Sequence, residues 1–209
     1  MISVSILGIK DPKKYELIDK TSCNYIHIDI MDGIFVSNKH EYTDLYRFTH
    51  PTEIHLMVDD VKSYIDKYKD LKPEYIIFHI ESKQDILELI NQIKSYGIKV
   101  GIAINPNTDI SVLIPYLKHI EQILVMSVEP GYGGQEYIIS TMDKVEELIK
   151  LRKQLDLDFF IEVDGGINPN TILGDNAEKK VVGNSITSKI DYQKQIDLLN
   201  KLIEIKKYH

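Results

Sequence analysis

At 209 residues the chain can bury one substantial core and gives no reason to posit two, so residues 1–209 are read as a single domain. A net charge of −7 and a pI near 5.5 argue against a nucleic-acid binder, which would carry a basic stripe. No apolar run reaches membrane-spanning length, Met1–Leu7 is too short for a signal core, and the one cysteine, Cys23, cannot close an intrachain disulfide; a reducing cytoplasm is the expected setting.

Eight units of strand, loop and helix follow one another. Strand patterns fall near 2–7, 24–30, 53–57, 74–80, 98–104, 121–126, 158–164 and 179–183. Helical periodicity fills the gaps, among them Lys13–Lys20, Asp60–Tyr68, Lys83–Tyr96, Ile139–Gln154 and Tyr192–Lys206. After the seventh strand, Pro169–Asn176 leaves room for barely two turns, so that helix is predicted to be trimmed. Units of about 26 residues are tight for a barrel of ~250 residues but workable with short loops. No linker or low-complexity tract divides the chain. The alternation predicts an α/β chain folded as a (β/α)8 TIM barrel.

The strand ends carry the chemistry. Tyr25-Ile26-His27-Ile28-Asp29-Ile30-Met31-Asp32-Gly33 alternates apolar and polar residues and then breaks at Asp32-Gly33. His27, Asp29 and Met31 share one face, because strand side chains alternate with a period of two. Glu53-Ile54-His55-Leu56-Met57-Val58 repeats a histidine and a methionine two apart. Tyr75–His79 ends in histidine, Ile123–Met126 in methionine, and Phe159–Asp164 in aspartate before Gly165-Gly166. In a parallel barrel these ends converge on one mouth, where active sites are built. Met31, Met57 and Met126 singly read as core filling, but three at one rim suggest a polarisable cover over a planar intermediate. His79 reads as structural rather than as a metal ligand. His40, His50, His119 and His209 carry no motif and read as surface residues; Cys23 reads as a small core or surface side chain.

Three glycine turns point to a phosphate. Gly131-Tyr132-Gly133-Gly134 follows strand six, Gly165-Gly166 strand seven and Gly183-Asn184 strand eight. Glycine lets backbone N–H groups approach an anion, and barrels often bind phosphate after strands seven and eight. None of these turn residues is lysine or arginine, so recognition by the backbone is expected. The loop from Pro130 to Tyr137 is long enough to close over a ligand.

Together Ser5-Ile6-Leu7, His27–Gly33, His55–Val58, Phe78-His79, Val125–Gln135, Val163–Ile167 and Val182–Ser185 resemble the ribulose-phosphate 3-epimerase family, over seven of the eight strands in order. The resemblance implies a TIM barrel, a divalent metal held by His27, Asp29, His55 and Asp164, and interconversion of two pentulose 5-phosphates in cytoplasmic carbohydrate metabolism, with a homo-oligomer as a further possibility. Ser5 would then contact the substrate; its alternative is a hydroxyl bonded to neighbouring backbone. Gly8-Ile9-Lys10, Val36-Ser37-Asn38 and Asn184 depart from the family's usual residues, in loops that shape the pocket.

The chemistry agrees with those positions. Inverting a carbon beside a carbonyl takes a proton off one face and returns one to the other, and Asp29 and Asp164 would be that acid–base pair. Two histidines with two carboxylates suit Zn²⁺, Mn²⁺, Fe²⁺ or Co²⁺ without choosing among them. Ribulose 5-phosphate to xylulose 5-phosphate is the expected reaction. Open alternatives are an epimerase for a six-carbon ketose phosphate such as allulose 6-phosphate, a lyase or decarboxylase of related barrels, and a non-catalytic sugar-phosphate sensor. The lyases' aspartate–x–lysine–x–x–aspartate arrangement is missing at Asp29–Asp32.

Overall fold

A computed structural model describes residues 1–43 and 46–206 of the chain. Eight parallel strands close into a barrel: β1 (Ile2–Ser5), β2 (Tyr25–Asp32), β4 (Thr52–Met57), β5 (Tyr75–His79), β6 (Lys99–Ile104), β7 (Gln122–Met126), β8 (Phe160–Asp164) and β9 (Lys179–Val182). Each pairs with the next, and β1 joins both β9 and β2, which completes the ring. The two-residue strand β3 (Lys39–His40) runs antiparallel against the far end of β2, with Met31 opposite His40.

Both faces of every barrel strand are buried, as expected where helices cover the outside of a parallel sheet. Ile26, Ile28 and Ile30 of β2 point outward into the main apolar core with Ile54, Leu56, Ile76 and Phe78. Tyr75, Ile77, Ala103, Leu124 and Met126 face inward in a separate cluster. The polar residues of β2, His27 and Asp29, are therefore inside the barrel.

The outer layer comprises α1 (Lys13–Asp19), α2 (Val61–Tyr68), α3 (Ile86–Ser95), α4 (Thr141–Gln154), the short α5 (Asn184–Thr187) and α6 (Tyr192–Lys206). Asp60 and Asp85 cap α2 and α3, each carboxylate accepting a backbone N–H of the first turn. Between β6 and β7 the connection is a 3₁₀ run, Ile110–His119, with Pro115 inside it; proline lacks the N–H that an α-helix needs there.

Two expectations change. The first strand ends at Ser5 rather than at residue 7. The trimmed helix after the seventh barrel strand is not a helix: the Asn168 side chain accepts backbone N–H groups of Asn170 and Thr171, giving the segment a turn in place of a helical ladder. Cys23 is a buried core residue.

Deep in the barrel lies a cluster of charge. Lys179 Nζ sits 2.5 Å from Glu53 Oε2, 2.7 Å from Gln122 Oε1 and 3.7 Å from Glu162 Oε1. It also rests 3.9 Å from the Tyr25 ring centre and 4.6 Å from that of Tyr75. Burial opposes every charge here, yet Glu53 is held well below the usual carboxylate range by Lys179 and His27. Glu162 is driven well upward by burial and the Glu53 charge, so it keeps its proton. One ammonium thus faces one carboxylate.

Candidate active site

Four donor atoms meet above this cluster. His27, Asp29, His55 and Asp164 each place one nitrogen or oxygen within 4.8 Å of the other three. His27 Nε2 lies 3.3 Å from Asp29 Oδ1 and 3.8 Å from Asp164 Oδ2; His55 Nδ1 lies 3.2 Å and 3.7 Å from the same two oxygens. A tetrahedral cation with bonds of about 2.0–2.1 Å sets its ligands roughly 3.3 Å apart. The spacing therefore fits one divalent ion. A second observation agrees: His27 Nε2 is buried and makes no hydrogen bond, although it faces the cluster.

Strand geometry explains the convergence. His27 and Asp29 are two apart on β2, and register places His55 of β4 beside Asp29. Asp164 ends β8, opposite Met126 of β7. Asp29 is not at the end of its strand, since β2 runs on to Asp32; the extra residues carry Met31 to the rim. Asp32 then anchors the following loop, accepting N–H bonds from Ile34 and Phe35 at Oδ1 and from Asp59 at Oδ2.

Each side chain is held by others. Ser5 Oγ donates to Asp29 Oδ2 at 2.9 Å and accepts the backbone N–H of neighbouring Leu7 at 3.4 Å, so the hydroxyl serves both the carboxylate and the adjoining backbone. His27 Nδ1 lies 2.9 Å from Glu53 Oε1, which leaves Nε2 facing the cluster. His55 turns Nδ1 inward, and its Nε2 meets His79 Nε2 at 2.9 Å. His79 Nδ1 lies 3.2 Å from Glu81 Oε2.

The two acids are driven apart electrostatically. Burial opposes ionisation of Asp29, but the neighbouring His27 and His55 outweigh it and hold the group far below its usual range. Asp164 is pushed up to about 7 by burial and by the charges of Asp29 and Glu53, against the pull of His27. Burial lowers His55 to about 4, so it is a neutral imidazole with a lone pair to offer. His27 moves the other way: Asp29 and Glu53 overcome its burial and raise it. Buried acids that attract a proton onto His27 make a place suited to a cation.

An open cavity of ≈ 1330 Å³ joins this centre to the glycine turns. Ser5, Asp29 and Asp164 line it with Met31, Met57 and Met126, and so do Gly131, Tyr132, Gly133, Gly134, Gly165, Gly166, Gly183 and Asn184. Gly166 has φ 64°, and a Cβ there would stand 2.5 Å from the backbone nitrogen of Tyr137, so the turn has no room for a side chain. The 130–137 loop is tied across the mouth: Asn38 Nδ2 donates to Gly131 O, and the Ser37 and Tyr132 hydroxyls are 3.1 Å apart.

Several neighbours of this centre escape a reading of the sequence. His40, expected at the surface, lines the cavity and donates from Nδ1 to the backbone oxygen of Asp29 at 2.7 Å, because β3 folds back on β2. His50 is half-buried against Thr21 O, whereas His119 is exposed; His209 lies outside the described residues. Glu53 and Glu162 have no role assigned from their strands alone. Both are two residues from a cluster member, so strand parity could have placed them inside. Lys10, Lys39 and Lys189 also line the cavity, although the glycine turns themselves contain no cation.

A closed parallel barrel with histidines and opposed acids at its C-terminal mouth defines an enzyme of the TIM-barrel class. Residues 1–186 match the ribulose-phosphate 3 epimerase family, and the chain belongs to that family. It is an epimerase, an isomerase acting on carbohydrates. Ribulose-phosphate 3-epimerase of Serratia marcescens is 35% identical over 178 residues, covering 81% of this chain and 85% of that protein. The Escherichia coli (strain K12) enzyme of the same name is 33% identical over 181 residues, covering 82% and 80%. Among solved structures, 3-hexulose-6-phosphate synthase from Salmonella typhimurium superposes with a TM-score of 0.67 at 14% identity, covering 98% of this chain and 99% of that one. KGPDC from Streptococcus mutans gives 0.69 at 12% identity, covering 98% and 97%. These two likenesses concern the fold alone.

Proposed function

We propose that this chain interconverts D-ribulose 5-phosphate and D-xylulose 5-phosphate by inverting C3, with a divalent ion held by His27, Asp29, His55 and Asp164. The observation that carries this reading is the pair of carboxylates, from the second and seventh strands of the ring, sharing one donor cluster at the floor of a glycine-lined cavity.

Asp29, ionised and braced by Ser5, takes or returns the C3 proton on one face. Asp164, on the seventh strand of the ring, serves the other face. Two carboxyl groups, one for each face of the reacting carbon, are what an acid and a base working together require. Held by His27, Asp29, His55 and Asp164, a Zn²⁺, Mn²⁺, Fe²⁺ or Co²⁺ ion would supply positive charge to offset the negative charge that develops as the proton leaves. Met31, Met57 and Met126 exclude water and offer polarisable contact to the planar intermediate. The backbone N–H groups of Gly131–Gly134, Gly165, Gly166, Gly183 and Asn184 receive the phosphate.

The test is turnover in deuterium oxide with ribulose 5-phosphate, and with allulose 6-phosphate in parallel. Xylulose 5-phosphate carrying deuterium at C3 is the expected product. Inversion without solvent deuterium argues against the two-acid route, and faster turnover of the six-carbon sugar reassigns the substrate.

A further inference from the structure

The proton on His55 has only one place consistent with metal binding, and His79 and Glu81 behind it determine whether it is there. His55 presents Nδ1 to Asp29 and Asp164, and this nitrogen is within hydrogen-bond distance of Asp29 Oδ1 at 3.2 Å, so Asp29 and His79 compete for the one proton of the neutral ring. That nitrogen can bind a cation only if it is bare, so a neutral His55 must carry its proton on Nε2. Nε2 faces His79 Nε2 at 2.9 Å; the ring centres are 5.0 Å apart and the planes 25° apart, so the rings meet edge to edge. One proton fits between two such nitrogens. If His55 donates it, His79 accepts and carries its own proton on Nδ1, which faces Glu81 Oε2 at 3.2 Å. The other Glu81 oxygen, Oε1, accepts from the backbone N–H of Asn105 at 2.9 Å and from Thr108 Oγ1 at 2.5 Å.

We propose that Glu81 is a positioning residue for the metal centre: through His79 it fixes the tautomer of His55 that leaves Nδ1 free to bind the ion. Glu81 touches neither the donor cluster nor the cavity. It works because a carboxylate accepts at both oxygens, so every proton in the chain Glu81–His79–His55 points away from the site. The inference rests on the metal reading above and adds a residue that this reading does not contain.

The geometry makes an isosteric change informative. In Glu81→Gln the amide oxygen must stay where Asn105 N–H needs an acceptor, which turns the NH₂ toward His79 Nδ1. His79 then accepts at Nδ1 and donates from Nε2. His55 is forced to accept at Nε2, and its proton moves to Nδ1, onto the metal face. No atom of the chain is lost, yet the ligand is blocked. His79→Leu cuts the chain, so adding Glu81→Gln to that variant should change nothing further.

The experiment uses the full-length protein stripped of metal, titrated with Zn²⁺ against a chromophoric chelator, together with nitrogen-15 NMR of the histidine rings. Expected is at least a tenfold rise in the Zn²⁺ dissociation constant for Glu81→Gln, within the 10–100-fold range usual for such supporting groups. An unchanged unfolding midpoint of the metal-free variant, a His55 proton found on Nδ1 in place of Nε2, and no added effect in the His79→Leu background complete the expected result. Wild-type affinity with an unmoved His55 proton would overturn the proposal, as would an equal loss in the His79→Leu background. If the wild type binds no Zn²⁺, the metal reading fails separately, and the NMR comparison still decides whether Glu81 sets the tautomer.

Discussion

His27 and His55 address the same two carboxylate oxygens through opposite ring nitrogens, Nε2 from one and Nδ1 from the other. Each ring's remaining nitrogen is engaged by a different buried support, Glu53 for His27 and His79 for His55. The arrangement aims two ring nitrogens at one point without asking either ring to bridge.

Removing either acid should stop the inversion. Asp29→Asn and Asp164→Asn keep size and much of the hydrogen bonding but cannot shuttle a proton, so each should lower kcat by more than ~100-fold. C3 deuterium exchange measured alongside turnover checks this. Either variant retaining activity clears that aspartate of a proton-transfer role.

Loss of one ligand should show first in metal content. His55→Ala leaves three donors, and elemental analysis of the purified variant should find less bound metal than in the wild type. Chelation of the wild type should abolish activity, and Zn²⁺, Mn²⁺, Fe²⁺ or Co²⁺ should restore it. Full metal occupancy in His55→Ala would take that residue out of the ligand set.

The interior charge cluster should govern stability. Lys179→Met strands the Glu53 carboxylate in the barrel with no ammonium beside it. Breaking a buried pair from one side costs about 3–5 kcal/mol. Urea unfolding is the measurement, and a cost under about 1 kcal/mol would show that Glu53 simply takes up a proton when Lys179 is gone.

Asp32 should make the loop after β2 sensitive to acid. Partial burial works against its ionisation, but backbone N–H groups of Asp59, Ile34 and Phe35 outweigh that and hold it below its ordinary value. A lowered carboxyl contributes stability above the unfolded-state pKa of about 3.9 and loses it as pH falls through the lower folded value. Asp32→Ala should therefore cost about 1.5–3 kcal/mol at pH 7, with the gap to the wild type closing below about pH 4. An equal gap at both pH values would mean that packing, not the charge, accounts for the loss.

Much of this centre could be read from order along the chain. Alternation placed His27 with Asp29, and Glu-Ile-His-Leu-Met put His55 and Met57 on a shared face, because strand parity is a local property. The glycine turns after Met126, Asp164 and Val182 were legible for the same reason: a turn's requirement for glycine is met within a few residues. The strand–helix alternation was enough for the barrel, since parallel strands need crossovers and crossovers cover both faces of the sheet.

What tertiary structure alone decided is where protons and charges rest. Glu81 and His55 are 26 residues apart, and nothing near either announces that they belong to one hydrogen-bonded chain. Lys179 looks like any lysine at the start of a strand until ring closure drops it between Glu53 and Gln122, 126 and 57 residues away. His40 joined the site only because two residues of β3 fold back on β2. Side-chain identity and parity are fixed by covalent order, whereas hydrogen-bond partners and burial depend on which distant strands the closed barrel brings together.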